Sequence, residues 1–416
     1  MYNLHLTAEQ LEIRDTVRDF VAQEVRPIAL HPDRLQSHPR PFPPAVLEQA
    51  SQMGLRTLAL SEAAGGAGAD SLTSCIVTEE LAAGDVGVAA ILGQTSMLAH
   101  WLFDQAMTPE QRARFLPQLL ADDGYHLAYA GIEPAFDADL GGSYHRPFAA
   151  DVGVKLTAAR QGSGDWVVKG TTDFVANAPI AKLIAVDVRI DPKATGTHGV
   201  STLLVPRDAP GLSLRKPEKS PDGEPLYVWH HGACGEFVFE DCRVPAANLL
   251  SAEGTSALTG GAASLGRGSP LVQAMNLGVG RAAYEAALEY AKLRVQGGRP
   301  IIEHQAMGIL LAEIAIKLEV ARNMVWKAAW AADHPEAYAD RSIADLPLQT
   351  MARVFTADAV HKVALKAAEV FGAMGVMRDM PLQKYVHDAL VFVHAEAGNS
   401  VETLKIAEAV AGYRRP

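Results

Sequence analysis

The sequence predicts an α+β chain in three consecutive parts: an N-terminal helical domain over residues 1–122, a middle antiparallel β domain over 123–252 and a C-terminal four-helix bundle over 253–416. Three observations predict it. Helix-start signatures stand at the front of the chain. A stretch rich in Val, Thr, Gly and Pro runs from about 125 to 250 in short apolar runs broken by turn residues. After residue 270 long apolar stripes return at three- and four-residue spacing.

The elements follow in order. Thr7-Ala8-Glu9-Gln10 has the form of a capping box and opens a stripe of Leu11, Ile13, Val17, Phe20 and Val21. Residues 44–53 form a second helix closed by Gly54. Thr108-Pro109-Glu110-Gln111 repeats the cap, with Pro109 at the first helical position, where its missing N–H costs nothing. In the middle part, residues 166–170, 184–188 and 236–239 are strands, and the turn chemistry at 162–165 and 206–211 favours antiparallel hairpins. A Gly/Ser-rich passage at 254–269 precedes the bundle. One long helix runs from 270 to about 295 and stops at Gly297-Gly298. A second begins near Ile302, with Met307, Leu310, Leu311, Ile314 and Leu318 on one face. A third covers 348–374 and a fourth follows Asn399.

Composition narrows the function. The 416 residues carry 37 basic and 48 acidic side chains, a net charge of −11, which argues against a nucleic-acid backbone as partner. No apolar run approaches the roughly 18 residues of a membrane span, and residues 1–12 lack a basic-then-apolar leader, so a cytoplasmic protein is expected. Cys75, Cys234 and Cys242 are too few for a disulfide framework and have no CxxC spacing. The fourteen histidines show no metal-ligand spacing, and His230-His231 reads as a loop pair, so no metal site is expected. The phosphate-loop, zinc-protease, nucleophile-elbow and dinucleotide motifs are absent.

Two places stand out on physics alone. Glu396 follows the run 389–395, whose one polar member is His394, and precedes Ala397-Gly398-Asn399. A lone carboxylate in such surroundings has its ionised form disfavoured by desolvation, which brings its pKa toward a general base's range; a solvated acid at a helix start is the plainer reading. The second place is residues 294–305, where two glycines lie between Arg294 and Arg299. There the backbone can approach a phosphate closely, although an ordinary helix–helix turn would look the same.

Five stretches, taken together and in order, resemble the acyl-CoA dehydrogenase family over nearly the whole chain. Tyr129-Ala130-Gly131-Ile132-Glu133-Pro134, continuing to Asp139, is similar to the family's flavin loop, Tyr-x-x-Thr-Glu-Pro-x-x-Gly-Ser-Asp. Phe174-Val175-Ala176-Asn177 stands for the family's Trp-Ile-Thr-Asn. Phe239-Glu240-Asp241-Cys242-Arg243-Val244-Pro245 resembles its exit from the β domain. Residues 294–305 resemble the helix-turn that reaches a neighbouring subunit's flavin diphosphate, and Glu369-Val370-Phe371-Gly372-Ala373 a further flavin-contacting turn. The resemblance implies an acyl-CoA dehydrogenase-like fold and an FAD-dependent acyl-CoA dehydrogenase. In that reaction a carboxylate takes the α-proton of a thioester while flavin N5 accepts hydride from the β-carbon. His387-Asp388-Ala389 precedes Glu396 at the family's spacing, so Glu396 matches the base, and its backbone N–H would help bind the thioester oxygen. The alternative base position falls on Gly268, which cannot serve. The resemblance also assigns Tyr129, Ile132, Ala138, Phe174, Ala176, Arg294, Gln296, Gln305, Glu369, Gly372, Ala373, Gly398 and Asn399 to FAD. Ala138, Arg267, Ser269 and Ala397 go to the substrate. It further implies a homotetramer of paired dimers and an electron-transferring flavoprotein as acceptor.

The departures point to a specialised branch. Ile132 replaces a Thr, Ala138 a Ser and Ala176 a Thr, each removing a hydroxyl, and Ser269 stands where many members have an Arg. Each lost hydrogen bond is worth about 0.5–1.5 kcal/mol. The segment 140–152 is longer than the family norm. Residues 85–92 offer no cation for a distal carboxylate, so an apolar or cyclic acyl group is expected over a dicarboxylic one. Two alternatives stand beside this reading. One is a flavin-dependent monooxygenase on the same fold; the other is a non-catalytic partner subunit in a mixed tetramer.

Overall fold

A computed structural model describes the whole chain except residues 1–4, 32–41, 132–153, 163, 173, 192, 194–198, 217, 218, 220, 222–231, 251, 252, 255–268, 335–346, 378, 395–397 and 413–416, together with the side chains of 398, 401 and 405. Ile132, Ala138, His230, His231, Arg267, Gly268, Glu396 and Ala397, with segment 140–152, lie outside the described residues.

Among the described residues six α-helices precede the sheet region: α1 (Ala8–Phe20), α2 (Arg26–Ala29), α3 (Pro44–Gln52), α4 (Ser71–Gly84), α5 (Val86–Ala99) and α6 (Pro109–Ala121). Five described helices follow it: α7 (Pro270–Leu293), α8 (Gln305–Asp333), α9 (Leu348–Phe371), α10 (Leu382–His394) and α11 (Gly398–Ala411). The two capping boxes form as the sequence predicts: Thr7 exchanges hydrogen bonds with Gln10 at 3.0 and 3.1 Å, and Thr108 with Gln111 at 3.1 and 3.3 Å. Among the described residues the C-terminal part thus shows five helices where four stripes were expected. The additional one, α10, buries Leu382, Tyr385, Ala389 and Phe392 at helical spacing. α7 also ends earlier than predicted. Arg294 turns extended, and Val295–Gln296 (β10) pairs with Arg299–Pro300 (β11) as a hairpin around Gly297 and Gly298, both at positive φ. Two consecutive left-handed glycines suit a tight primed hairpin turn. α8 accordingly starts at Gln305, after a 3₁₀ turn at Ile301–Glu303.

One correction concerns the membrane criterion. α5 continues through a π-helical stretch, His100–Ala106, and residues Val86–Ala106 form a helix long and apolar enough to cross a bilayer. However, 83% of that window is buried inside the protein, as expected of a core helix.

The chain forms two compact units. The first comprises Met1–Phe42, Asp70–Ala90 and Gly268–Tyr413. Its core joins Leu277, Val279, Leu311, Ile314, Leu318, Val360, Val363 and Tyr385. α4 lies so close to α7 that a Cβ on Gly278 would stand 2.4 Å from the Glu79 carbonyl oxygen. Between these helices the buried Glu79 and Glu80 carboxylates meet Arg18, Arg281 and Arg322. Arg281 Nη2 reaches Glu80 at 2.6 Å and Arg322 Nη2 reaches Glu79 at 2.7 Å.

The second unit comprises Pro43–Ala69, Ile91–Arg267 and Arg414–Pro416. It is built on the strands β1 (His126–Ala130), β2 (Thr157–Arg160), β3 (Trp166–Thr171), β5 (Ala181–Arg189), β6 (Val200–Pro206), β7 (Leu212–Leu214) and β9 (Phe237–Val244). The two short strands β4 (Val175–Ala176) and β8 (Cys234–Gly235) pair with each other. The main sheet runs β1-β5-β2-β3-β9-β7, with β6 also on β5. It is mixed rather than wholly antiparallel, because β1 and β2 both pair parallel with β5. Each face is covered: Leu127, Leu183, Ala185 and Leu204 pack with Leu98, Phe103 and Phe115. Their neighbours Ile184, Val186 and Val205 pack with Val168, Phe237 and Phe239. Burial on both faces explains the apolar run 183–186 of β5, which alternation would not produce.

Candidate active site

In the second unit, the turn after β4 is held by one side chain. Asn177 has φ of +65°, a left-handed conformation that Asn tolerates better than most residues, and is 1% exposed. Its Nδ2 donates to the Ile91 and Leu127 carbonyl oxygens and to Thr95 Oγ1, each at 3.2 Å. Its backbone N–H donates to the Ala233 carbonyl at 2.6 Å, which joins the turn to β8. Thr95 Oγ1 also accepts the Leu127 N–H at 3.4 Å and lies 3.2 Å from His126 Nδ1. With both lone pairs of that hydroxyl engaged, its hydrogen goes to His126 Nδ1, so the ring is neutral and carries its proton on Nε2. Burial, reinforced by Arg56 and Lys182, brings the His126 pKa down to about 4. This knot fixes β1, β4 and the turn between β4 and β5 to α5. From sequence, Asn177 is visible only as the last residue of the 174–177 motif, and Thr95 and His126 carry no signal, because no local spacing marks residues so distant in the chain.

The predicted cofactor residues of this unit sit around the knot. Tyr129 on β1 packs edge-on against Trp101 at 5.7 Å, and its hydroxyl donates to Asp187 at 2.8 Å. Burial, and then the Asp187 charge, holds the phenol well above its usual pKa. Ala176 pairs with Cys234 across the β4–β8 ladder, and just before it Phe174 stands 56% exposed.

In the first unit the predicted residues fall at the two ends of a parallel helix pair. Tyr290 stacks on Phe371 at 4.1 Å, which gathers the Arg294 hairpin and the Glu369-Gly372-Ala373 turn at one end. Arg294, Gln296 and Gln305 are exposed there, and His304 Nε2 holds the hairpin at 3.0 Å from the Gln296 carbonyl oxygen. At the other end, Ser269 caps α7 by accepting the Leu271 N–H at 3.3 Å, and Asn399 in the first turn of α11 donates to the Val354 carbonyl at 3.2 Å. A helix of 24 residues separates the ends by about 36 Å. One helix pair therefore does not bring Arg294 together with Ser269 and Asn399.

Near the chain position of Glu396, α10 carries a buried charge cluster that the sequence reading also missed. Lys384 Nζ lies 2.5 Å from Asp388 and 3.4 Å from Asp85, whose other oxygen caps α5 through the Gly87 N–H at 2.8 Å. Burial alone would lower the ammonium's pKa, but Asp388 and Asp85 outweigh it and keep Lys384 charged above the ordinary lysine value.

The families described as the N-terminal, C-terminal and middle domains of acyl-CoA dehydrogenase match residues 7–123, 261–411 and 149–242. An acyl-CoA dehydrogenase of Bacillus subtilis (strain 168) is 30% identical over 410 residues, 98% of this chain and 100% of that protein. This chain belongs to the acyl-CoA dehydrogenase family. The mitochondrial isobutyryl-CoA dehydrogenase of Dictyostelium discoideum is likewise 30% identical, over 97% of this chain and 89% of its own. The structure of butyryl-CoA dehydrogenase from Megasphaera elsdenii superposes with a TM-score of 0.82 at 25% identity, covering 99% of this chain and 100% of that one. The protein is accordingly an oxidoreductase of an FAD-dependent family.

The residues present fit a flavin. Phe174 stands exposed beside β4, and the paired glycines of the β10–β11 hairpin leave backbone accessible between two exposed guanidiniums. Asn399 Oδ1 is buried without a hydrogen-bond partner among the described residues, an acceptor that a bound group would satisfy.

Proposed function

We propose that this protein is an FAD-dependent acyl-CoA dehydrogenase that introduces an α,β double bond into an acyl-CoA thioester. Bound FAD would supply the hydride acceptor. Glu396 takes the α-proton, and its backbone N–H helps hold the thioester oxygen. The observation that carries this reading is the spacing of Glu396 after His387-Asp388-Ala389 in a chain matched to the family from end to end. The helices flanking it in sequence, α10 ending at His394 and α11 starting at Gly398, support it. Tyr129, Phe174, Ala176, Gly398 and Asn399 hold the flavin, with Ile132 and Ala138 in its loop, while Ala138, Arg267, Ser269 and Ala397 meet the thioester.

The separation of about 36 Å between the ends of α7 supports a second copy as the user of Arg294, Gln296, Gln305 and the Glu369-Gly372-Ala373 turn. An outward apolar stripe along α8, Ile309, Ile316 and Val320, together with Leu293 and Val295, supports self-association into a homotetramer of paired dimers. An electron-transferring flavoprotein is the proposed acceptor. The acyl skeleton is apolar or cyclic without a distal carboxylate: residues 85–92 provide no cation, and Lys384 beside Asp85 is already held by two carboxylates.

The test is the visible spectrum of the purified protein under anaerobic addition of linear, branched and cyclic acyl-CoAs. A flavin band bleached by one thioester is the expected result, and Glu396→Gln should keep the band but lose the bleaching. A colourless protein, or a Glu396→Gln variant that dehydrogenates at the wild-type rate, would overturn the reading or its base.

A further inference from the structure

Helices α7 and α9 run parallel in a register fixed by two contacts. A Cβ on Gly280 would stand 3.1 Å from Val360 and 2.8 Å from Leu318, so the helices close tightly there. Further along both helices, Tyr290 stacks on Phe371. One and two turns back from Gly280, the same face of α7 carries Asn276 and Gln273. The facing side of α9, one and two turns back from Val360, carries Thr356 and Arg353. Ser269, the cap of α7, heads the same stripe: 269, 273, 276 and 280 recur at helical spacing.

This seam is polar, whereas further along the helix contact is Gly280 against Val360 and then Tyr290 on Phe371. Asn276 and Thr356 are fully buried and Gln273 nearly so. Even so, both amide atoms of Asn276, Nε2 of Gln273 and Oγ1 of Thr356 have no hydrogen-bond partner among the described residues. Buried amides and hydroxyls are paired as a rule, because an unpaired one forfeits its hydration for nothing. Four orphaned atoms on one seam therefore describe a seat for a polar guest. The orphans include both donors and acceptors, and the adjacent Arg353 faces the Glu402 carboxylate at 3.9 Å. A neutral guest suits this seat and a charged one does not.

We propose that Gln273, Asn276 and Thr356 are specificity-determining residues that receive an uncharged polar group, a hydroxyl, carbonyl or amide, borne by the otherwise apolar acyl moiety. The proposal rests on the acyl-CoA dehydrogenase reading, which puts the thioester chain at the Ser269 end of α7. Gln273 and Asn276 stand about 6 and 10 Å along the axis from Ser269, a span that a medium-length acyl group covers. Gly280 with Val360 and Leu318 closes the far end.

The experiment compares kcat/KM of the holoenzyme for plain acyl-CoAs and for hydroxy- or oxo-acyl-CoAs of the same length, in wild type, Asn276→Leu, Thr356→Val and Thr356→Ser. The wild type should favour the polar thioester. Asn276→Leu and Thr356→Val should each lower the polar-to-plain ratio about tenfold or more, while Thr356→Ser keeps it. An unchanged ratio in both apolar variants, in an enzyme that still oxidises thioesters, would overturn the proposal and leave the seam to bound water. If no thioester bleaches the wild-type flavin, the dehydrogenase reading itself falls, and the proposal with it. The two near-isosteric variants lie on different helices, so misfolding of one leaves the other to decide.

Discussion

The turn at Asn177 and the seam between α7 and α9 both bury uncharged polar side chains, yet they treat them differently. At the turn, Asn177, Thr95 and His126 complete one another's hydrogen bonds and tie strands to a helix. In the seam, Gln273, Asn276 and Thr356 leave theirs open. A saturated network contributes rigidity and is costly to break; an open one contributes little to folding and keeps its capacity for a ligand. The same residue types therefore serve architecture in one place and recognition in the other. Stability measurements separate them.

The sharpest contrast comes from a third buried cluster, the charged one on α10. Lys384→Met removes the ammonium that faces Asp388 and Asp85 in the interior and should cost about 3–5 kcal/mol, read from urea unfolding; a loss below 1 kcal/mol would show that water reaches both carboxylates. Asn177→Ala comes next. It removes the three hydrogen bonds of Nδ2 and places an ordinary residue at positive φ, for about 2–4 kcal/mol in total. Asn177→Gly should recover about 1 kcal/mol of that, the conformational part. Equal losses in the two variants would mean that the backbone conformation carries no strain.

His126 adds a pH signature to the turn. The folded-state pKa of about 4 lies below the unfolded value of about 6.5, so the unfolded chain binds the proton first. The stabilisation is fully present above pH 6.5 and is lost as pH falls toward 4, by up to about 3 kcal/mol. Arg56 and Lys182 push the same way as burial, and Asp122 opposes them. Stability curves of wild type and His126→Leu should therefore converge as pH falls through that window, whereas parallel curves would place the proton elsewhere. The smallest effect belongs to the seam. Asn276→Leu and Thr356→Val, which remove orphaned groups, should change stability by less than about 1 kcal/mol and in the favourable direction. A loss of several kcal/mol would move the seam into the same class as the turn.

Much of this was legible in the sequence, and the reasons are local. Both capping boxes, the Pro109 helix start and the strands expected at 166–170, 184–188 and 236–239, which extend to Trp166–Thr171, Ala181–Arg189 and Phe237–Val244, follow from residues that are neighbours in the chain. The order of helical, β and helical parts followed from texture, and the family from five motifs in sequence order. What escaped depended on distant partners. β5 pairs parallel with β1 and β2, a choice made by topology and not by turn residues. α10 escapes because Lys384 and Asp388 place charges beside its apolar stripe, and Asp388 is itself buried. The glycine pair that reads as a helix stop is instead a hairpin corner, since two positive-φ residues permit either. The knot at Asn177 draws on positions 91, 95, 126, 127 and 233, which no windowed pattern connects.

The discontinuous composition of the first unit bears on how the chain emerges from the ribosome. α4 is completed at Gly84, but α7, against which it packs, begins at Pro270. At synthesis rates of 5–20 residues per second the nascent α4 waits about 10–40 s for that partner. During the wait its apolar side chains and the Glu79-Glu80 pair have no bundle to enter. The second unit is threaded between these halves, so translation itself holds the N-terminal helices in an unfinished state.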